Sequence, residues 1–179
     1  MKLWSFQSSQ AVQKLQEQRI LKVSWDWYSP RDPYLQPYHW MHALMLQHGI
    51  DCGPTAPLWA WHSCGGMEHP PSLGTARNLL SNLQLEAGVQ ILSLECPQEV
   101  VLLSMYSAWN DIVDQFIDHG PKTKISLQLT QHLLHLPKSL EDYEAIQATL
   151  PFINLDWVTE IRPLHLSPDD QEVNWDQPA

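Results

Sequence analysis

Basic residues are scarce in this sequence: ten lysines and arginines face twenty aspartates and glutamates, for a formal charge of −10. Duplex nucleic acid is held by clustered Lys and Arg that neutralise phosphates, and no basic run is present, so that partner is excluded. The acidic balance suits a solvated protein, or one that docks on a basic protein surface. Apolar runs are short as well, and no stretch approaches the roughly 20 residues of a membrane-spanning helix. The opening MKLWSFQSSQ turns polar too early for a signal peptide, so the expected location is the cytoplasm. Cysteine is sparse: Cys52, Cys64 and Cys96 form an odd, irregularly spaced set. That pattern reads as free thiols in a reducing compartment, not as a disulfide framework.

Several chemical signatures are also missing. There is no GxSxG elbow, and no serine or cysteine has an obvious base beside it. Gly65-Gly66 is a loop dipeptide without the pattern of a phosphate-binding loop. The acids are scattered and suggest no catalytic pair. Histidine is plentiful, with nine residues. His39 and His42, like His132 and His135, stand three apart on expected helices, and Cys52, His62, Cys64 and His69 could supply four ligands. None of these sets follows a zinc spacing, and no CxxC knuckle is present, so no metal is expected.

What is abundant is tryptophan, with nine residues spread from Trp4 to Trp175. Such large side chains anchor cores, and a chain of 179 residues can bury one without staples. The length fits one domain. We read residues 1–164 as a single α+β domain, with a central, mostly antiparallel sheet flanked by helices. Residues 165–179, SPDDQEVNWDQPA and the two residues before it, read as an acidic, flexible tail.

Alternation makes LWSFQ (3–7) an opening strand, with Leu3, Ser5 and Gln7 on one face and Trp4 and Phe6 on the other. Ser8 or Ser9 can cap the next helix, which turns Val12 and Leu15 to one side. The three prolines of SWDWYSPRDPYLQP (24–37) predict loop, followed by a helix over 38–49 that ends at Gly49. PLWAWHS (57–63) predicts a strand with Trp59 and Trp61 on one face, and GGMEHPPSLG (65–74) a loop. VQILSLE (89–95), apolar on both faces, reads as a central strand, and VVLLS (100–104) as another.

Trp109, Ile112, Val113, Phe116 and Ile117 form one apolar stripe on a helix over 107–120. Ser107 is its expected cap, and Gly120-Pro121 its stop. TQHLLHLPKSL contributes a short helical piece that breaks at Pro137. Residues 144–164 read as strand, turn, helix and return strand. Asn154 caps that helix, Asp156 favours its positive end, and Leu155, Val158 and Ile161 are its apolar side.

Five pieces in this order resemble a bacterial and phage family known as domain of unknown function 3841. They are MKLWSFQS, the helix with YHWM, the PLWAW strand, the ILSLECPQEVVLLS pair followed by Trp109, and IQATLPFINLDWV. Together they span residues 1 to about 164. Two pieces depart from the family pattern. Ser104-Met105-Tyr106 stands where the family carries an acidic turn, and region 69–80 lacks a charged Asp-Leu-Arg segment.

More loosely, the plan resembles compact ADP-ribosyltransferase-like domains, which open with a strand and helix and carry a glutamate on a late strand. That resemblance implies a nucleotide- or NAD-type ligand in a cleft. It places Gln7 at the end of the first motif strand and Gln147 about where the catalytic glutamate would sit. Such a glutamate bonds a ribose hydroxyl while its charge steadies an oxocarbenium-like transition state. A glutamine amide keeps the hydrogen bond without the charge, and losing preorganised stabilisation of that kind costs about 10²–10³ in rate. Gln147 therefore suits binding better than transfer. Glu144 or Glu95 would have to supply the charge, although three residues along a strand turns Glu144 to the opposite face.

The resemblance thus implies ligand contacts from Gln7 and Gln147, a stacking face from Trp61 and a secondary polar contact from Ser104. The residues alone leave open that Gln147 and Gln7 are ordinary solvent-facing strand residues, that the tryptophans only pack the core, and that Ser104 only leads into the helix. A rival expectation is an acidic protein-interaction module, an inhibitor or accessory factor.

Overall fold

The computed structural model describes residues 1–164 and forms an α+β fold. The acidic segment 165–179 expected to be flexible lies outside the described residues. In chain order the first half contains β1 (Lys2–Ser8), α1 (Ser9–Gln18), β2 (Ile20–Leu21), β3 (Val23–Ser24), α2 (Leu35–Gln47), β4 (Thr55–Ala56) and β5 (Leu58–Cys64). Two short helices follow, α3 (Leu73–Leu79) and α4 (Asn82–Glu86), then β6 (Val89–Glu95) and β7 (Leu102–Met105). The remainder is α5 (Tyr106–His119), α6 (Leu127–Leu134), β8 (Ala145–Leu150), β9 (Ile153–Asn154) and β10 (Val158–Pro163).

Six strands pair in the order β10-β6-β1-β5-β8-β7, and every pairing is antiparallel. Register follows the side-chain alternation. Trp4 pairs with both Ser93 and Trp61, Trp61 with Gln147, and Gln147 with Ser104. Directly opposite residues share a face, so these five side chains form one row across the sheet. Leu3, Ser5 and Gln7 belong to the other face.

Each face has its own core. On the Leu3 face, Val12 and Leu15 of α1 pack against Leu3, Leu92, Leu94, Ala60, Ala148 and Leu150. The amphipathic pattern of α1 explains this docking, and the Ser8 hydroxyl accepts a hydrogen bond from the Ala11 N–H at its start. The second cluster joins Met41, Leu44 and Met45 of α2 to Trp109, Ile112, Val113 and Phe116 of α5. Leu102, Met105 and Ile146 complete it. Leu102 and Met105 stand on opposite faces of β7, so this core wraps around that edge strand.

Several local expectations need correction. α5 begins at Tyr106, placing Ser107 inside its first turn, and Met105 precedes it without any side-chain cap. Its end matches the reading: Gly120 takes φ +83° and donates to the Phe116 carbonyl at 2.9 Å. α2 starts at Leu35, before Pro37, whose missing N–H costs little in a first turn where N–H groups lack intrahelical partners. Asn154 does cap, accepting from the Asp156 N–H, but only a 3-10 turn over Leu155–Trp157. Val158 and Ile161 lie in the return strand, because pairing with Leu94 and Leu92 outweighs a short local helix.

Candidate ligand-binding site

Above the Trp4–Ser104 row lies a cleft of about 430 Å³. Its floor comes from β5 and β8 through Trp59, Ala60, Trp61 and Gln147, with Phe6 of β1 beside them. Tyr38 of α2 and Tyr106, Trp109 and Asn110 of α5 form one wall. Tyr28, Asp32 and Tyr34 contribute from the loop before α2, and Leu79, Leu80 and Gln84 from the α3–α4 segment.

Eight of the lining residues are aromatic, and they brace one another. Trp59 packs on Trp109 with ring centroids 4.7 Å apart and on Tyr38 at 5.2 Å. Tyr28 meets Tyr38 edge-on at 5.3 Å, and Trp61 meets Tyr106 edge-on at 5.0 Å. These separations and tilts are those that aromatic quadrupoles favour. Burial, and then the charge of Asp32, push the Tyr28 phenol up to about 12. Burial also raises Tyr38 and Tyr106, so these three phenols remain neutral O–H groups at ordinary pH.

Three buried side-chain atoms lack a hydrogen-bond partner among the described residues: Trp59 Nε1, Ser104 Oγ and Gln147 Nε2. All three belong to adjacent strands β5, β8 and β7 and to the same face, since Trp59 pairs with Thr149, two residues from Gln147. An unpaired buried donor costs about 1–3 kcal/mol, and two of these residues, Trp59 and Gln147, line the cleft, so their donors form an arrangement that an acceptor would relieve. A β-bulge adjoins it: Trp61 pairs with Gln147 and Ser63 with Ile146, leaving His62 without an opposite residue. Bulges of this kind re-aim side chains beside sites.

The residues singled out from the sequence fall in different places. Gln147 is 3% exposed, not solvent-facing, and shares the cleft with Trp61. Ser104 is fully buried directly opposite Gln147 on the next strand. Trp61 is itself buried and presents only a narrow part of its ring. Gln7 is not brought to them. It stands on the other face of the sheet, where its Nε2 donates to Ser5 Oγ at 2.8 Å and Ser5 donates on to the Trp59 carbonyl, also at 2.8 Å.

Gln7 lines a separate cavity of about 490 Å³ with Lys14, Lys22 and Trp27; Tyr28 and Asp32 border both. Glu144 lines a third cavity, and its carboxylate accepts from the Glu141 N–H at 3.0 Å. Glu95 is exposed, opposite Lys2.

Sequence reading missed Tyr28, Asp32, Tyr34 and Tyr38. The available signal was four aromatic residues packed into a proline-rich loop, where no amphipathic helix or strand exists to bury them. No group of three or more His, Cys, Asp or Glu side chains converges on a metal position among the described residues. No helix among them is long and apolar enough to cross a membrane.

The family model for Domain of unknown function (DUF3841) matches residues 2–124. The chain belongs to this family. The match covers β1 through α5, and therefore every wall of the cleft. Gln147, with the rest of β8, lies beyond the matched residues, and so does the IQATLPFINLDWV segment. No curated protein and no solved structure matches the chain.

Proposed function

We propose that this family member is a binding domain for a small ligand carrying a planar heteroaromatic ring, of the nucleoside or nicotinamide type. The observation that carries the reading is the pair of unpaired buried donors, Gln147 Nε2 and Trp59 Nε1, on the floor of an aromatic cleft. A flat ring with acceptor atoms on its edge satisfies both requirements of such a site: stacking surface and partners for the donors. Ser104 is buried opposite Gln147 and does not line the cleft, so no ligand contact is assigned to it.

The looser likeness to ADP-ribosyltransferase-like domains agrees with a ligand of the NAD class, and the glutamine at position 147 argues for retention of the ligand over group transfer. No Lys, Arg or His lines the cleft among the described residues, so a diphosphate finds no counter-charge there. The recognised part is therefore the ring and its sugar, and a nucleoside without the diphosphate is expected to keep most of the affinity of NAD.

Calorimetric titration with NAD, ADP-ribose, adenosine and nicotinamide tests the proposal, beside the Gln147→Leu variant. The expected result is saturable wild-type binding of at least one of these, weakened about tenfold or more when the amide is removed. Silence with all four at millimolar concentration overturns it.

A further inference from the structure

We propose that the cleft prefers a positively charged ring, an N-alkylated heteroaromatic cation such as a pyridinium, over its neutral counterpart. This deepens the ring-binding reading above and rests on it. Among the described residues lining the cleft, Asp32 is the one formal charge. Its Oδ1 accepts from the Tyr34 N–H at 2.8 Å, which fixes the carboxylate on the loop that also carries Tyr28 and Tyr34. Around it stand tyrosine and tryptophan rings whose negative faces attract cations, and an enclosed aromatic surface next to one carboxylate is the usual arrangement for holding a quaternary nitrogen.

The phenols reinforce this polarity. Burial is the main cause that raises Tyr28 and Tyr38; the Asp32 carboxylate adds to it at Tyr28 and, behind Tyr28 and Tyr34, at Tyr38. No cation among the described residues lines the cleft, so a pyridinium meets an opposite charge there and a neutral ring does not; Lys14 and Lys22 lie in the adjoining cavity that Asp32 also borders. The overall charge of −10 acts in the same direction at long range. The donors on the floor remain available to a carboxamide oxygen on the same ring, so charge and hydrogen bonding recognise different edges of one ligand.

The probe is 1-methylnicotinamide, compared with nicotinamide: the two share the ring and carboxamide and differ by the methyl group and the charge. Titration of the full chain at low and at raised salt gives the ratio of their dissociation constants. The expected ratio is roughly tenfold in favour of the cation, shrinking as salt rises. In Asp32→Asn, whose amide oxygen can still accept from Tyr34, the ratio collapses toward unity, with an unchanged melting temperature confirming an intact loop. Equal wild-type affinities, or a ratio that survives in Asp32→Asn, overturn the charge preference and leave the ring-binding site standing. Binding of neither compound overturns the charge preference, and the ring-binding reading falls with it only when NAD, ADP-ribose and adenosine are silent as well.

Discussion

The two faces of the central sheet are built by opposite rules. On the face under α1, aliphatic side chains interlock and the polar groups are paired: Ser5 Oγ donates to the Trp59 carbonyl and accepts from Gln7 Nε2. On the face toward α2 and α5, aromatic side chains surround a cleft, and Trp59 Nε1, Ser104 Oγ and Gln147 Nε2 are left without partners. A fold selected only for stability would pair or remove such groups, since each costs more buried and unpaired than an apolar side chain of the same shape. The contrast separates the face whose polar groups are paired from the face where the proposed site lies.

The sharpest way to break this comparison is to damage the paired face. Leu3 and Leu94 are fully buried opposite each other on β1 and β6. Leu94→Ala should cost about 2–5 kcal/mol, by lost transfer energy and the cavity left behind. The measurement is the shift in urea midpoint. Below the transition, ligand affinity should remain close to wild type. If Leu94→Ala abolished binding while still folded, the two faces would not be separable.

Mutating polar residues should sharpen the comparison, because the sign of the effect is expected to differ between faces. Ser5→Ala removes a hydroxyl that links Gln7 to the Trp59 carbonyl, and should destabilise by about 1 kcal/mol or more. Gln147→Leu and Ser104→Ala remove groups that are already unpaired, and should be neutral or stabilise by up to about 1 kcal/mol. Paired denaturation curves give these values directly. A loss above about 1 kcal/mol in Gln147→Leu would mean that the amide is satisfied in solution, and the case for a site on its floor would lapse.

The difference between the faces also marks what could be read in the chain. β6 was legible to the residue, because VQILSLE is apolar on both sides and bounded by Gly88 and Pro97. Trp109, Ile112, Val113 and Phe116 of the α5 stripe were equally plain, their periodicity being local, whereas Ile117, read with them, is exposed. Val158 and Ile161, three apart, fitted a helix or a strand, and only the partner strand β6 decides between them. Gln147 was harder. Alternation separates wet from buried positions when one face meets water, but β8 is buried on both faces, so the glutamine between Ile146 and Ala148 carried no sign of its burial. The cleft itself depends on Tyr28, Asp32 and Tyr34 reaching across from a proline-rich loop, a long-range contact that no local period encodes. Gln7 and Gln147 resemble each other in sequence setting, yet the pleat sends one to each face.

The smallest expected effect concerns two histidines, His39 on α2 and His62 at the bulge of β5. Burial, and secondarily His42, lower the pKa of His39, whose ring stacks on Trp25 at 3.9 Å. Burial lowers that of His62 beside the bulge; Glu68 opposes the shift and the N-terminal charge adds to it. Both imidazoles thus bind a proton less readily folded than unfolded, where the reference value is 6.5. Between the lowered folded values and 6.5 the unfolded chain carries more protons, so stability must rise with pH through that window. Their contribution is fully present above about 6.5 and is lost as pH falls through the folded values. Denaturation midpoints from pH 7.5 down to pH 5 should therefore decline, and His62→Gln should flatten the decline more than His39→Gln, because His39 is largely exposed and its charge is better screened. An equal slope in the double variant would assign the pH dependence to the carboxylates instead.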